Sequence, residues 1–106
     1  MVKVMQRLIQ QIKPDKWEAL EEIDKKFNAV EASLGYPPTK RRYRLYSGKG
    51  NFNTLIVERE WNSLKELEEL TVKGLANPDL QKLMAELNDT MSDMKIEIYL
   101  VWPMAM

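Results

Sequence analysis

A chain of 106 residues that is 44% hydrophobic and 30% charged has ordinary globular composition and room for one hydrophobic core. Sixteen Lys and Arg balance sixteen Asp and Glu, so no net field draws the chain toward nucleic acid or an anionic membrane. Cysteine and histidine are absent, which excludes disulfides, thiolate and imidazole metal ligands, Cys nucleophiles and the usual neutral-pH proton shuttle.

The first residues, Met1 to Arg7, lack an apolar stretch followed by a small-residue cleavage site, and no apolar run approaches the length of a membrane span. A soluble cytoplasmic protein without a cofactor is therefore expected. A domain of this size buries only about two-thirds of the surface its unfolded chain exposes, so association that hides more apolar area would stabilise it.

Val2 to Ile12 is β-rich and carries apolar residues at both parities (Val2, Val4, Leu8 and Ile12 against Met5 and Ile9), as in a central strand covered on two sides. Because Gln6 and Arg7 both interrupt the pattern, its inward parity stays open. Pro14 stops the strand, and Asp15 with Glu18 forms a capping-box pattern. Trp17, Leu20, Ile23, Phe27, Val30 and Leu34 then recur at helical spacing, with Gly35 placed to end the helix. Trp17 and Phe27, on this stripe, read as core.

After the stiff Tyr36-Pro37-Pro38 connector, Thr39 to Ser47 alternates as a strand, with Lys40, Arg42, Arg44 and Tyr46 on one side. Ser47 to Asn51 supplies a turn, and Phe52 to Trp61 returns. A register with Tyr46 opposite Thr54 sets Arg42 opposite Glu58 and Lys40 opposite Glu60. A shift of two residues still leaves Arg facing Glu. Ser63 and Glu66 form a second capping box before the Leu64, Leu67, Leu70 stripe. Gly74 and Asn77-Pro78 break that helix, which restarts with Leu80, Leu83, Met84 and Leu87 inward. Asn88 to Asp93 reads as a loop. Met94 to Trp102 is the last strand, with Met94, Ile96, Ile98, Leu100 and Trp102 on one side and Lys95, Glu97, Tyr99 and Val101 on the other.

The order is β-α-β-β-α-β with the second helix in two pieces, and residues 1–106 are expected to form one domain. Right-handed crossovers turn this order into a ferredoxin-like α+β fold, a four-stranded antiparallel sheet with helices on one face. The helices should cover Leu55, Val57, Ile96, Ile98 and Leu100. The other face should then present Arg42, Arg44, Tyr46, Thr54, Ile56, Glu58, Lys95, Glu97, Tyr99 and Val101. That mixture is too apolar for a solvated face and too charged for a dry core, and a half-polar cavity between two stacked sheets would satisfy both. The apolar ending, Trp102 to Met106, also suggests a docked terminus.

The run Val57-Glu58-Arg59-Glu60-Trp61-Asn62-Ser63-Leu64-Lys65-Glu66-Leu67-Glu68, a charged-aromatic strand end entering a Ser-capped helix, resembles the dimeric α/β-barrel superfamily. Asn77-Pro78-Asp79 and Glu97-Ile98-Tyr99 add to the resemblance, which is nearest to NIPSNAP-like and stress-responsive barrel domains. It implies a homodimer whose two sheets close face to face around a cavity. It fixes no activity, because the superfamily includes cofactor-free oxygenases, haem-handling proteins, isomerases and members of unknown activity.

Lys40-Arg41-Arg42-Tyr43-Arg44 on a ferredoxin-like sheet invites an RNA-binding reading. The first and third strands, Val4 to Leu8 and Leu55 to Arg59, carry no aromatic on which a base could stack, so no nucleic-acid partner is expected. Glu58, Glu60 and Glu97 could bind a hard cation, but Arg42, Arg44 and Lys95 are better partners, so no metal is expected. Haem ligation through histidine has no residue to carry it.

Acid–base chemistry is the remaining catalytic option, with Glu58, Glu97, Tyr99 and Arg42 as candidates. Trp61, Asn62, Tyr99 and Arg44 supply the residue types that cofactor-free oxygenases of this fold set around an aromatic substrate, although no motif aligns well enough to transfer roles. Trp61 most simply packs at the strand–helix junction. The seven methionines read as gap-filling. The sequence thus favours a homodimer holding a small amphipathic or aromatic molecule, with Arg42, Arg44, Tyr46, Ile56, Glu58 and Tyr99 as ligand-binding residues. A cofactor-independent oxygenase or isomerase and a purely structural dimerisation module are the alternatives.

Overall fold

A computed structural model describes residues 2–103. Its elements are β1 (Val4–Ile12), α1 (Trp17–Ser33), β2 (Arg41–Arg44), β3 (Thr54–Trp61), α2 (Leu64–Leu75), α3 (Pro78–Asn88) and β4 (Met91–Leu100). The strands form one antiparallel sheet in the order β2-β3-β1-β4, which is the expected ferredoxin-like α+β fold. No described helix is long and apolar enough to cross a membrane.

Local chemistry explains most boundaries. At the end of α1, Gly35 takes φ +87°. This lets the Tyr36 N–H donate to the Glu31 carbonyl at 3.0 Å and the Gly35 N–H to Ala32 at 3.1 Å, satisfying carbonyls the helix end would leave open. Ser63 caps α2 by accepting from the Glu66 N–H at 3.1 Å, while the Glu66 carboxylate accepts from the Asn62 N–H at 3.1 Å. Asn77 caps α3 by accepting from the Leu80 N–H at 3.0 Å, with Pro78 in the first turn.

The start of α1 differs from expectation. Its N-cap is Lys16, and no side chain caps it. Pro14-Asp15 lies in a turn closed by the Lys16 N–H on the Lys13 carbonyl at 2.9 Å, so Asp15 sits one position too early to act as the cap. Gly74 does not break α2 but lies inside it and is buried. A Cβ there would fall 2.3 Å from the Tyr36 hydroxyl and 2.8 Å from Leu80, so glycine allows Tyr36 and α3 to approach the helix.

The β2–β3 register is the main correction. Arg41, not Arg42, lies opposite Glu58, and Arg42 pairs with Val57. A one-residue shift turns every β2 side chain to the other face of the sheet. The reason is visible on the helix side, where Arg42 reaches Glu21 of α1 at 2.7 Å and Asp24 at 3.3 Å. Arg44 stacks 3.9 Å from the ring centroids of both Trp17 and Phe52. Paired carboxylates and aromatic faces on that side outweigh the cross-strand pairing anticipated on the other.

The helix-side faces of β1 and β3 carry Val4, Gln6, Leu8, Gln10 and Ile12 beside Leu55, Val57, Arg59 and Trp61. Their apolar members build two separate buried clusters. One joins Ile12, Leu20, Leu55, Val57 and Met91, with Leu8, Trp17 and Leu87 against it. The other joins Val4, Trp61 and Leu67, with Tyr36 and Leu70 against it. Ile96, Ile98 and Leu100 do point to the helix side. They are at least half exposed, however, because β4 is an edge strand and is buried only at its start, Met91. Trp102 is exposed, and the rest of the apolar ending, Met104 to Met106, lies outside the described residues.

Candidate functional site

Between the two apolar clusters lies a cavity of about 220 Å³, bounded by the sheet on one side and the helices on the other. Leu8, Leu55 and Val57 line it from the sheet, Leu20 and Phe27 from α1, and Leu80, Met84 and Leu87 from α3. The sheet also contributes three polar residues at core positions: Gln6, Gln10 and Arg59. Gln6 and Arg59 are direct cross-strand neighbours. Alternation along β1 and β3 places them on the same side as Val4, Leu8, Val57 and Trp61, where a purely structural core would be apolar.

A network of ions holds one wall. The Arg59 Nη2 group lies 3.0 Å from Glu31, and Lys40 lies 3.5 Å from Glu31 and 2.7 Å from Asp24. Lys40 also donates to Asn28 at 2.9 Å. With the Arg42–Glu21 and Arg42–Asp24 contacts, three cations face three carboxylates and the network is neutral. The same residues apart from Glu21, with Tyr36, Pro37 and Pro38, line an adjoining polar pocket of about 330 Å³. The apolar cavity and the polar pocket share Asp24, Glu31, Tyr36, Lys40 and Arg59, so an apolar space borders a charged vestibule.

Protonation in this wall follows its partners. The hydrogen bond from Arg42 holds the Glu21 carboxyl below its ordinary range against the opposing effect of burial, and the same bond raises Arg42. Burial pushes the Tyr36 phenol up, so it stays protonated and donates to the Leu70 carbonyl at 3.0 Å. Tyr36 also packs edge-on against Trp61 at 5.3 Å, which confirms Trp61 as the strand–helix junction residue.

The open face of the sheet carries a second arrangement. Arg7 sits directly between Glu58 on β3 and Glu97 on β4. Its Nε and Nη2 groups reach the same Glu58 oxygen at 2.9 and 2.8 Å, and its guanidinium lies 5.0 Å from the Tyr99 ring centroid. The Tyr99 hydroxyl donates to Glu97, the main reason its phenol is held above its ordinary value. Arg7 in turn is raised chiefly by its bond to Glu58. Met5, Ile9, Tyr43 and Ile56 share this face.

Of the residues singled out in the sequence, the structure therefore gathers Ile56, Glu58, Glu97 and Tyr99 on the open face. Arg42 and Arg44 lie on the helix side, and Tyr46 lies beyond the end of β2, 94% exposed. Arg41 stands opposite Glu58 where Arg42 was expected, and Arg7 of β1 makes the ion pair with Glu58. The Gln6, Gln10 and Arg59 set was missed, although Arg59 shares the parity of Leu55, Val57 and Trp61, and a charge in that series was the available signal. Among the described residues no group of three carboxylates could hold a metal.

Sheet order, helix placement and this two-sided arrangement define a ferredoxin-like α+β protein. No family model matches the chain, and no curated protein matches it. Several solved structures do share its fold. A NIPSNAP family protein from Agrobacterium tumefaciens is 17% identical, with 92% of this chain and 91% of that one covered and a TM-score of 0.73. A dimeric protein of unknown function and ferredoxin-like fold from Bacteroides fragilis is 12% identical over 92% and 95% of the two chains, TM-score 0.67. A candidate antibiotic biosynthesis monooxygenase from Nitrosomonas europaea is 14% identical over 97% and 94%, TM-score 0.65. At these identities the likeness is one of fold, and it meets the NIPSNAP-like, ferredoxin-like resemblance read from the sequence at that level.

Proposed function

We propose that this chain forms a single domain that pairs with a copy of itself and binds a small amphipathic molecule in each protomer, between the sheet and the helices. The carrying observation is the 220 Å³ cavity that separates the two halves of the core. Its volume lies above the roughly 150 Å³ of an engineered apolar cavity that takes benzene. It lies below the roughly 300 Å³ at which drug-sized pockets begin, so a molecule of one or two rings is the right scale. The apolar lining would bury the body of such a molecule, and the bordering charged vestibule would face its polar end.

Pairing through the open sheet face is supported by Met5, Ile9, Tyr43, Ile56 and Tyr99 around the Arg7 ion pair, a mixture suited to a covered surface. The Bacteroides fragilis protein of the same fold is described as dimeric. In the pair, Ile56, Glu58 and Tyr99 would line the space between the sheets, while Arg42 and Arg44 would act from the helix side.

Native mass spectrometry of gently purified protein tests both halves of the reading. The expected spectrum is a dimer carrying an added mass that is lost on denaturation. Bare subunit mass in the wild type would overturn ligand binding, and a monomer would overturn the pairing.

A further inference from the structure

The β4 edge of the sheet is long and uncovered. Its helix-side residues Met94, Ile96, Ile98 and Leu100 are 40–59% exposed, because the helix layer covers only the start of the strand. The backbone of the same four residues is open too. The Val101 N–H donates to the Lys3 carbonyl at 3.0 Å, which makes the odd-numbered residues of β4 the ones bonded to β1. The even-numbered residues therefore turn their N–H and C=O groups outward, where no described group meets them. An apolar strip and a row of outward backbone groups on one edge is the pattern that accepts another strand.

Charge decides which strand. On its open-face side β4 carries Asp93, Lys95, Glu97 and Tyr99. In an antiparallel pairing of two β4 strands centred on Ile96, Lys95 of each copy stands opposite Glu97 of the other. These are the positions without backbone bonds between them, where facing side chains approach closest. On the helix side the same register sets Ile96 against its own copy and Met94 against Ile98. Outward residues meet outward residues throughout, so each such pair can exchange both backbone hydrogen bonds.

Other registers fit worse. A shift of two residues one way sets Lys95 against Lys95 and Asp93 against Glu97, and the other way it sets Glu97 against Glu97. A register pairing Lys95 with Asp93 leaves Ile98 and Leu100 beyond the start of the facing strand at Met91. A lone edge lysine ordinarily keeps strands apart, but here a second copy supplies its counter-charge.

We propose that β4 pairs antiparallel, about Ile96, with β4 of a second copy, joining two sheets edge to edge into one continuous sheet. This contact is separate from pairing through the open face, because its apolar strip lies on the helix side. A strand rim buries less area than a sheet face, so the edge contact is the weaker of the two and grows in with protein concentration.

The chain has no cysteine, so a single introduced one reports contact between copies. Ile96→Cys and Ile98→Cys place it at similarly exposed positions on the same side of β4. In the proposed register position 96 lies about 5.5 Å from its own copy between Cα atoms, within disulfide range. Position 98 lies four residues from its copy, roughly 13 Å along the strand and out of range. Mild oxidation of the full chain should therefore link Ile96→Cys into covalent dimers on a non-reducing gel and leave Ile98→Cys monomeric. Adding Lys95→Glu to Ile96→Cys should slow the linking about tenfold, the scale of two opposite-charge pairs turned into like-charge pairs. Lys82→Glu, the same charge change at an exposed position of α3, should leave the rate unchanged.

Linking at neither position would overturn the edge pairing. Equal linking at both, or faster linking of Ile98→Cys, would overturn the register centred on Ile96. Equal slowing by Lys95→Glu and Lys82→Glu would overturn the Lys95–Glu97 complementarity. None of these outcomes bears on pairing through the open face, which cannot bring two helix-side positions together.

Discussion

The sheet carries an arginine–carboxylate cluster on each face, and the two are built differently. On the helix side, Arg59 and Glu31 meet with side chains only 11% and 14% exposed, and Lys40, Asp24 and Arg42 extend the pairing from α1 to β2 and β3. On the open face, Arg7 and Glu58 are 34% and 23% exposed and tie β1 to β3 within the sheet alone. The first cluster joins layers of the fold. The second is half-covered and positioned where another surface would complete it. An ion pair's contribution depends on what else surrounds it, so like pairs should respond unlike to mutation.

The largest effect is expected from Glu31→Ala. It leaves the Arg59 guanidinium in a nearly dry site without its acceptor, and removal of one partner from a buried pair costs about 3 kcal/mol. Chemical denaturation of the variant checks this. A loss below roughly 1 kcal/mol, the range of exposed pairs, would mean the two clusters are equivalent after all.

Gly74→Ala follows, since the helix side depends on close packing that the open face lacks. The added methyl would meet the Tyr36 hydroxyl and Leu80, and overpacking of this kind costs about 1–3 kcal/mol. The better helix propensity of alanine returns about 1 kcal/mol, leaving a net loss of about 0–2 kcal/mol. A fully stabilised Gly74→Ala variant would show that Tyr36 swings aside freely and that the packing of this wall is loose.

On the open face, Glu58→Gln should cost an isolated protomer no more than about 1 kcal/mol, because Arg7 retains solvent and Glu97 beside it. Pairing through this face would change that outcome. The loss would then grow and depend on protein concentration, as it does for any equilibrium that couples folding to association. Denaturation at two concentrations a hundredfold apart separates the cases.

The same contrast explains what the sequence made legible. Element order, the Ser63 and Asn77 caps, the Gly35 helix stop and the inward parity of β3 and β4 are local or period-two signals, and they could be read directly. The β2 register could not. It is decided by Glu21, Asp24 and Trp17, some twenty residues away on α1, and no hairpin pattern contains them. Parity on β1 was ambiguous for a related reason. Gln6 and Arg7 are adjacent polar residues serving opposite faces, one at the cavity and one in the open cluster. Glu58, Glu97 and Tyr99 of the open-face cluster were therefore visible and Arg7 was not, and the helix-side cavity was not visible, because a cavity arises from the spacing of layers.

The smallest effect, and the sharpest test of how solvent weakens these pairs, concerns Glu21. Its side chain is 51% exposed although its partner Arg42 is 31% exposed, so it stands at the wet end of the helix-side cluster. The Arg42 hydrogen bond lowers its folded-state pKa below the ordinary value near 4.5. A carboxyl lowered on folding adds stability above its unfolded pKa, and that stability is lost as pH falls through the folded value. Wild type should thus exceed Glu21→Gln by about 0.5 kcal/mol at neutral pH, and the gap should begin to close below about pH 4.5. Arg42 keeps Asp24 at 3.3 Å in the variant, which is why the loss stays small. Raising salt at pH 7 should shrink the same gap while leaving the Glu31→Ala deficit nearly intact, because screening acts on the exposed end of the cluster before it reaches the buried one.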